Sequence, residues 1–484
     1  MRRAPVLCAL VGLLVSGVGG APGPASIRFA DVTQQAAVGI VGDGHGAAVN
    51  DYDGDGYLDI YVATKDAANA SLLHNRGDGR FENVTQWAGV VVKSGEPHGV
   101  AWGDFNKDGR LDLYVGNWRD PAPVPNILFM QNDDGTFRNA NIESGLSIIP
   151  AINTHGVTLG DFDNDGWLDI FAGAARAVAV LLHNNGDGTF RDDRWRAGMK
   201  YSQRSHFMST LDWDEDGWLD IFVSSFPGGN AGNRLYRNRG NGVFEEIGAR
   251  TPLLRGAFHG ARFADFDNDG HLDLVAPEEV AETPHGYFAN RGGRLVEIGS
   301  RTGLYLGGPD RVHALAVGDC DNDGRLDVFM PTVGGAAMLF RNLGGHRFQQ
   351  VTGDIGIPPI PNAKAAVFCD YNNDGWLDIF VAVSGAPCRL LRNMRGAGHF
   401  LKVKLVGTRS NRDAIGARIY LKAGGRLQMR EVCGGNGHQQ DPFVQHFGLG
   451  KSAKVDSLTV QWPSKARQTL ANLSADRTIV IEEP

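Results

Sequence analysis

Short apolar runs alternate with acidic, glycine-rich turns along nearly the whole chain, and none of the runs repeats at helical spacing. One cycle passes from a run such as His-Gly-Val-Ala-Trp (98–102), through an aspartate-rich loop, to Leu-Asp-Leu-Tyr-Val (111–115). A further apolar strand follows, such as 71–74 or 180–183, and then a tight turn ending on an aromatic, as in Asn184-Asn-Gly-Asp-Gly-Thr-Phe190. Asp-Gly and Asn-Gly pairs favour hairpins. The first aspartates of successive loops, at 51, 104, 161, 212, 265, 319 and 370, are 53, 57, 51, 53, 54 and 51 residues apart. Four short strands in a unit of that length describe one propeller blade, so the pattern predicts an all-β, seven-bladed β-propeller with calcium-binding loops. Aromatic-led or apolar-led segments begin near Phe29, Phe81, Phe137, Phe190, Phe244, Leu295 and Phe348, so one of them precedes the first loop. Residues 26–33 should therefore supply the outer strand of the last blade and close the ring, removing an open sheet edge. From about His399 a different alternation begins, as in Ala417-Arg-Ile-Tyr-Leu, and predicts a small C-terminal β-sandwich-like domain that packs on the propeller. The division expected is 1–25 leader, 26–398 propeller and 399–484 tail domain.

The loops share the form Asp-x-Asp/Asn-x-Asp-Gly-x-Leu-Asp. Hard oxygen ligands at positions 1, 3, 5 and 9, a backbone carbonyl at position 7 and a glycine at position 6 suit Ca²⁺. In chain order the predicted ligand sets are Asp51, Asp53, Asp55, Tyr57, Asp59; Asp104, Asn106, Asp108, Arg110, Asp112; and Asp161, Asp163, Asp165, Trp167, Asp169. The fourth and fifth loops give Asp212, Asp214, Asp216, Trp218, Asp220 and Asp265, Asp267, Asp269, His271, Asp273. The last two give Asp319, Asp321, Asp323, Arg325, Asp327 and Asp370, Asn372, Asp374, Trp376, Asp378. The first half resembles an EF-hand loop, but position 12 is Val62 or Val115, where an EF-hand needs a bidentate Glu, and β-type residues follow rather than a helix. Magnesium fits less well, because it prefers a small octahedral shell rich in water. The side-chain carboxylates of these sets are 26 of the 55 acidic residues, so seven Ca²⁺ would bring the formal charge from −8 to +6. The acidity is thus local ligand charge rather than an acidic surface. Lys plus Arg number 47 and form no basic stripe, which argues against a nucleic-acid partner.

These loops and their spacing resemble FG-GAP/VCBS repeats, the blades also found in integrin α-subunit propellers. The tail resembles the ASPIC/UnbV domain in Asn411-Arg-Asp-Ala-Ile-Gly-Ala-Arg418, Arg430-Glu-Val432, His446-Phe-Gly-Leu-Gly450 and Val460-Gln-Trp-Pro-Ser464. The combination is similar to the cartilage acidic protein 1 family. One stretch departs from that pattern: Gly437-His-Gln-Gln-Asp-Pro442 stands where the family carries a Gly-Tyr-x-Ser-Gln-like segment.

Arg2 and Arg3, an apolar run to Val18 and small residues to Ala25 read as a secretory signal peptide, so the protein is expected to be secreted, periplasmic or extracellular, without a membrane span. Beyond it lie Cys320, Cys369, Cys388 and Cys433, whose pairing is open; Cys388 with Cys433 is one combination that would tie the last blade to the tail.

A second register stands six residues before each loop: His45, His98, His155, His206, His259, His313 and, in the seventh unit, Lys364. In a propeller the preceding strand is innermost, so these side chains should ring the axis on the face opposite the loops. Gathered imidazoles could bind a transition metal, shuttle protons or hold an anion. The same register would arise if one histidine useful at a strand start had been copied with every unit. Lys364 favours an anionic or polar ligand over a symmetric metal cage. No nucleophile triad or phosphate loop accompanies the ring. Three functions fit this chain: a binding or scaffolding module of adhesion type, an enzyme (metal-dependent or lyase/cyclase-type) using the His-ringed mouth, or a calcium-dependent glycan-binding protein. The partner would accordingly be a protein, a glycan or a small polar or anionic ligand.

Overall fold

The computed structural model describes residues 27–484 except 176, 200–201, 204, 226–231, 249–250, 255–257, 259, 278–285, 305–311, 352–354 and 395. The expected leader and His259 lie outside the described residues, as does the side chain of His206.

Among the described residues, five separate four-stranded antiparallel sheets and one nine-stranded sheet carry the repeats. The larger sheet holds the first and last units, joined where Val41–Asn50 pairs with Asp378–Pro387. In every unit the second strand starts at the position-9 aspartate, as in Asp59–Thr64 and Asp112–Trp118. These strands are buried at almost every position, because neighbouring blades cover both faces. The outer strands Phe81–Asn83 and Phe137–Asn139 bury only the leading aromatic. Ring closure is as the sequence predicts: Phe29–Asp31 adds to Arg389–Asn393 in antiparallel register, with Phe29 opposite Asn393. No sheet edge is left between the first and last units.

The tail forms two sheets. Gln445–Gly450, His399–Val406 and Arg477–Glu482 make one; Arg426–Glu431, Arg418–Ala423, Lys454–Gln461 and Arg467–Ser474 make the other. It packs on the propeller through a shared apolar core in which Leu168 and Leu219 join Ala414, Ile415 and Trp462.

The cysteines form no disulfide: Cys320, Cys369, Cys388 and Cys433 are all free, which removes the bridge from Cys388 to Cys433. The Cys320 thiol donates to Asp327 Oδ2 at 3.0 Å, and Cys433 Sγ lies 3.6 Å from Ser209 Oγ.

Candidate functional site

The innermost strands end in two different chemistries. At one end are the aspartate loops. Two left-handed residues bend each of them: the glycine at position 6, with φ between 84° and 94°, and position 4, occupied by Gly54, Lys107, Asn164, Glu215, Asn268, Asn322 or Asn373. The carboxylates are braced by backbone. Asp161 accepts the N–H groups of Asp165 and Gly166 at 3.0 and 2.9 Å, and Asp319 accepts those of Asp323 and Gly324. Position 9 is structural as well as acidic: Asp220 accepts from Trp213 N at 2.9 Å and from Asn238 N at 2.7 Å. Burial pushes Asp59 up to about 7, Asp212 to about 7 and Asp319 to about 8. Such clustered carboxylates favour a bound cation. In the first loop, oxygens of Asp51, Asp53 and Asp55 all lie within 4.8 Å of one another, an oxygen-only donor set that fits a hard divalent ion.

The charge at position 3 is offset in five loops and absent from the other two. His74 and His183 approach Asp53 and Asp163 at 3.2 and 3.6 Å, and His346 reaches Asp267 at 2.9 Å. Arg237 and Arg341 pair closely with Asp214 and Asp321, and in the remaining two loops the position is Asn106 or Asn372.

Two belts of amides link neighbouring loops. In six of the seven units an amide near the end of the third strand reaches the position-2 carbonyl of the preceding loop: Asn75 to Tyr371, Gln131 to Tyr52, Asn184 to Phe105, Asn238 to Phe162, Asn342 to Phe266 and Asn393 to Cys320, at 2.7–3.2 Å. In the second belt the position-4 amides of Asn164, Asn268, Asn322 and Asn373 donate to the position-6 carbonyl of the next loop. Sequence reasoning assigned Asn184 and its counterparts to the hairpin turn alone; their regular place after each loop was the available signal. The position-7 aromatics cover that turn, with Tyr57 over Gly77, Trp167 over Gly186 and Trp218 over Gly240. Arg76-Gly77-Asp78 is the same turn, with Gly77 N donating to Asn75 Oδ1.

The tail docks on this loop end. Lys402 Nζ lies 2.8 Å from Asp370 Oδ2, Lys404 Nζ lies 3.5 Å from Asp51 Oδ2, and Asp413 accepts the Asp104 N–H at 2.7 Å. A cavity of about 150 Å³ remains beneath it, lined by Arg262, Asp265, Asp319, Asp370, Lys402 and Arg430 among others.

At the other end is the histidine register. The inner strands carry a register shift that falls at His45, at His98-Gly99, at His155, at His206-Phe207 and at Lys364. A bulge leaves its extra residue out of the ladder and re-aims the side chain. The His45 and His98 rings lie 4.5 Å apart, and those of His98 and His155 5.0 Å apart. Gly46 and Gly99 permit the crowding, since a Cβ on Gly46 would come within 2.1 Å of the His98 carbonyl. Lys364 Nζ sits 2.9 Å from His313 Nδ1. The structure thus brings together His45, His98 and His155 as one group and His313 with Lys364 as another.

One residue at this mouth was missed altogether. The segment 434–442 leaves the tail, enters the axis from the loop end and fills it. The Gly434 carbonyl accepts from Leu159 N, and Gly437 exchanges hydrogen bonds with Val157. The chain then turns, so that Gln439 and Gln440 run parallel to Ala47 and Ala48. Gln440 holds both the N–H and the carbonyl of Trp102, at 2.8 and 2.9 Å, and Gln439 takes the Leu315 carbonyl. At the tip His438 enters the ring, its centroid 6.1, 6.0 and 5.8 Å from those of His45, His98 and His155. This is the stretch that departs from the family pattern.

An all-β ring of repeats, closed by its own N-terminal strand and docked on a β-sandwich tail, defines the class. The family models agree: an FG-GAP-like repeat matches 51–115, 161–223, 212–276 and 319–381, half of the chain and all seven loops, and an ASPIC and UnbV model matches 407–484. The chain belongs to the FG-GAP repeat propellers that carry a C-terminal ASPIC/UnbV domain. It is similar to cartilage acidic protein 1 of Mus musculus, 25% identical over 90% of this chain and 73% of the relative, and of Homo sapiens, 31% identical over 91% and 63%. It is also similar to integrin alpha-8 of Gallus gallus, 26% identical over 40% of this chain and 21% of the relative. Among solved structures, YCF48 bound to D1 peptide matches with a TM-score of 0.44 at 10% identity, over 77% of this chain and 99% of that chain.

Proposed function

We propose that this chain is a secreted calcium-binding propeller that serves as a binding or scaffolding module of adhesion type. The observation that carries the calcium reading is the first-loop cluster of Asp51, Asp53 and Asp55 oxygens, together with the backbone bracing repeated in the other loops. Calcium would be held by the carboxylates or amides at positions 1, 3, 5 and 9 and by the position-7 carbonyl, and it would supply the positive charge that the buried carboxylates lack. Secretion rests on the leader-like N-terminus; no helix among the described residues is long and apolar enough to cross a membrane. The adhesion-type role draws on the likeness to integrin alpha-8 and to cartilage acidic protein 1. With the loop end under the tail and the axis filled, the mouth and the blade edges are the surfaces offered to a protein, glycan or small anionic partner.

Thermal unfolding in millimolar calcium and then in excess chelator tests this reading. Each site saturated a hundredfold above its Kd adds about 2.7 kcal/mol, so the melting temperature should fall clearly on chelation. An unchanged transition would sink the calcium claim.

A further inference from the structure

We propose that His98, His155 and His438 form a tris-imidazole site for a divalent transition metal, zinc or copper, whose third ligand is delivered by the tail. Ring nitrogens of these three residues all lie within 4.8 Å of one another, a spacing that a small closure brings to the reach of one ion. His98 is the second observation: it is 2% exposed, and among the described residues its Nδ1 has no hydrogen-bond partner, while its Nε2 faces the Glu96 carboxylate at 3.8 Å. A sealed imidazole nitrogen with nothing on it is a position that ligation of a metal would explain.

The surroundings suit the assignment. Trp118 stacks on His98 with ring planes 5° apart and meets His155 edge-on at 4.3 Å, while Phe207 flanks His438 at 5.2 Å, so the walls are apolar and fix the rings. Glu96 Oε2 lies 3.8 Å from His98 Nε2, the placement of a carboxylate that orients a metal-ligating histidine through its far nitrogen. Burial holds His98 and His45 below the usual imidazole range, which favours the neutral, ligating form. Three nitrogen ligands leave a fourth position for water or an oxygen donor, and the half-buried His155 marks the side open to solvent. Lys364, the cation expected to oppose a metal, stands against His313, outside the trio. The donor set differs in kind from the oxygen-only loops, so the two sites should select different ions.

The test uses the full chain, stripped with chelator and returned to saturating calcium so that the loops are filled. Titration with Co²⁺ should produce the visible d–d absorption of nitrogen-ligated cobalt, saturating at one equivalent and displaced by one equivalent of Zn²⁺. His98→Gln and His438→Gln should each abolish the band, while His74→Ala, beside the first loop, should leave it intact. Glu96→Gln should weaken zinc binding by about tenfold or more. Far-ultraviolet dichroism and the calcium-dependent melt establish that each variant is folded; should His98→Gln fail that check, His438→Gln on its own decides. Absence of the band in the wild type, its survival in a folded His438→Gln protein, or its loss in His74→Ala would each overturn the site. A calcium-insensitive melt with the cobalt band intact would sink the loop reading and leave this one standing.

Discussion

The two ends of the innermost strands carry opposite kinds of information. At the loop end a nine-residue motif repeats seven times with almost the same candidate ligands, the same two left-handed bends and, in six units, the same amide link to the preceding loop. At the mouth the repeat is broken: Lys364 replaces a histidine, and His438 enters from outside the repeats altogether. Repetition at the loops holds the ring together, since each position-9 aspartate is a hydrogen-bond hub as well as a candidate ligand. Departure from repetition at the mouth makes a particular site, with softer donors set in apolar walls.

That contrast breaks most readily at Asp220. Asp220→Ala removes the acceptor of two buried backbone donors, Trp213 N and Asn238 N, and should cost about 4 kcal/mol in urea unfolding. The loss should persist after calcium is chelated; if it vanishes, the position-9 residue acts only through an ion and the structural half of the contrast fails. Asn342→Ala comes next. It strands the carbonyls of Phe266 and Leu326, which accept from the Asn342 amide at 2.7 and 3.0 Å, and should cost about 2 kcal/mol with or without calcium. A variant as stable as the parent in thermal melts would remove the amide belt from the explanation.

Glu483 sharpens the contrast from inside the tail, where it holds the turn at 408–410 without being part of either end. Burial works against its ionisation, but the Ser464 hydroxyl and the N–H groups of Ser410, Thr408 and Arg409 outweigh that and hold its carboxyl down to about 2. A depressed carboxyl stabilises the fold fully above its unfolded value of about 4.5 and loses that contribution as pH falls through about 2. Glu483→Gln should therefore cost about 1–2 kcal/mol at pH 7, with the gap to wild type closing as melts are repeated toward pH 2. A gap that does not change with pH would assign the effect to packing. The smallest effect is expected at Arg237, which offsets Asp214 and Asp216. Arg237→Met should tighten calcium at that loop by no more than about fivefold, read by calorimetric titration.

Much of the fold was legible because the repeat exposes itself in side chains. Asp51, Asp53, Asp55 and their copies mark the turns, Phe81 and Phe137 mark the outer strands, and the surplus Phe29 segment foretells ring closure. Position 4 was not legible, since it is a backbone requirement met by residues as different as Gly54, Lys107 and Asn268. Nor were the partners of position 3, because His346 reaches Asp267 from the next unit. The histidine register was visible as a period, yet its division was not: which imidazoles meet depends on bulges and on Gly46 and Gly99. His438 was hidden for a different reason. It occurs once, in a segment whose partners Ala47 and Val157 lie nearly four hundred and nearly three hundred residues earlier, and neither periodicity nor composition reports a contact of that range.

The filled axis also sets a clock. The segment that threads it is made after every blade, and its carbonyls and amides are shared with strands of the first, second, third and seventh units. The proposed trio therefore exists only once that segment has seated, so in refolding the capacity to bind cobalt should appear with the docking of the tail, after the blades themselves have formed.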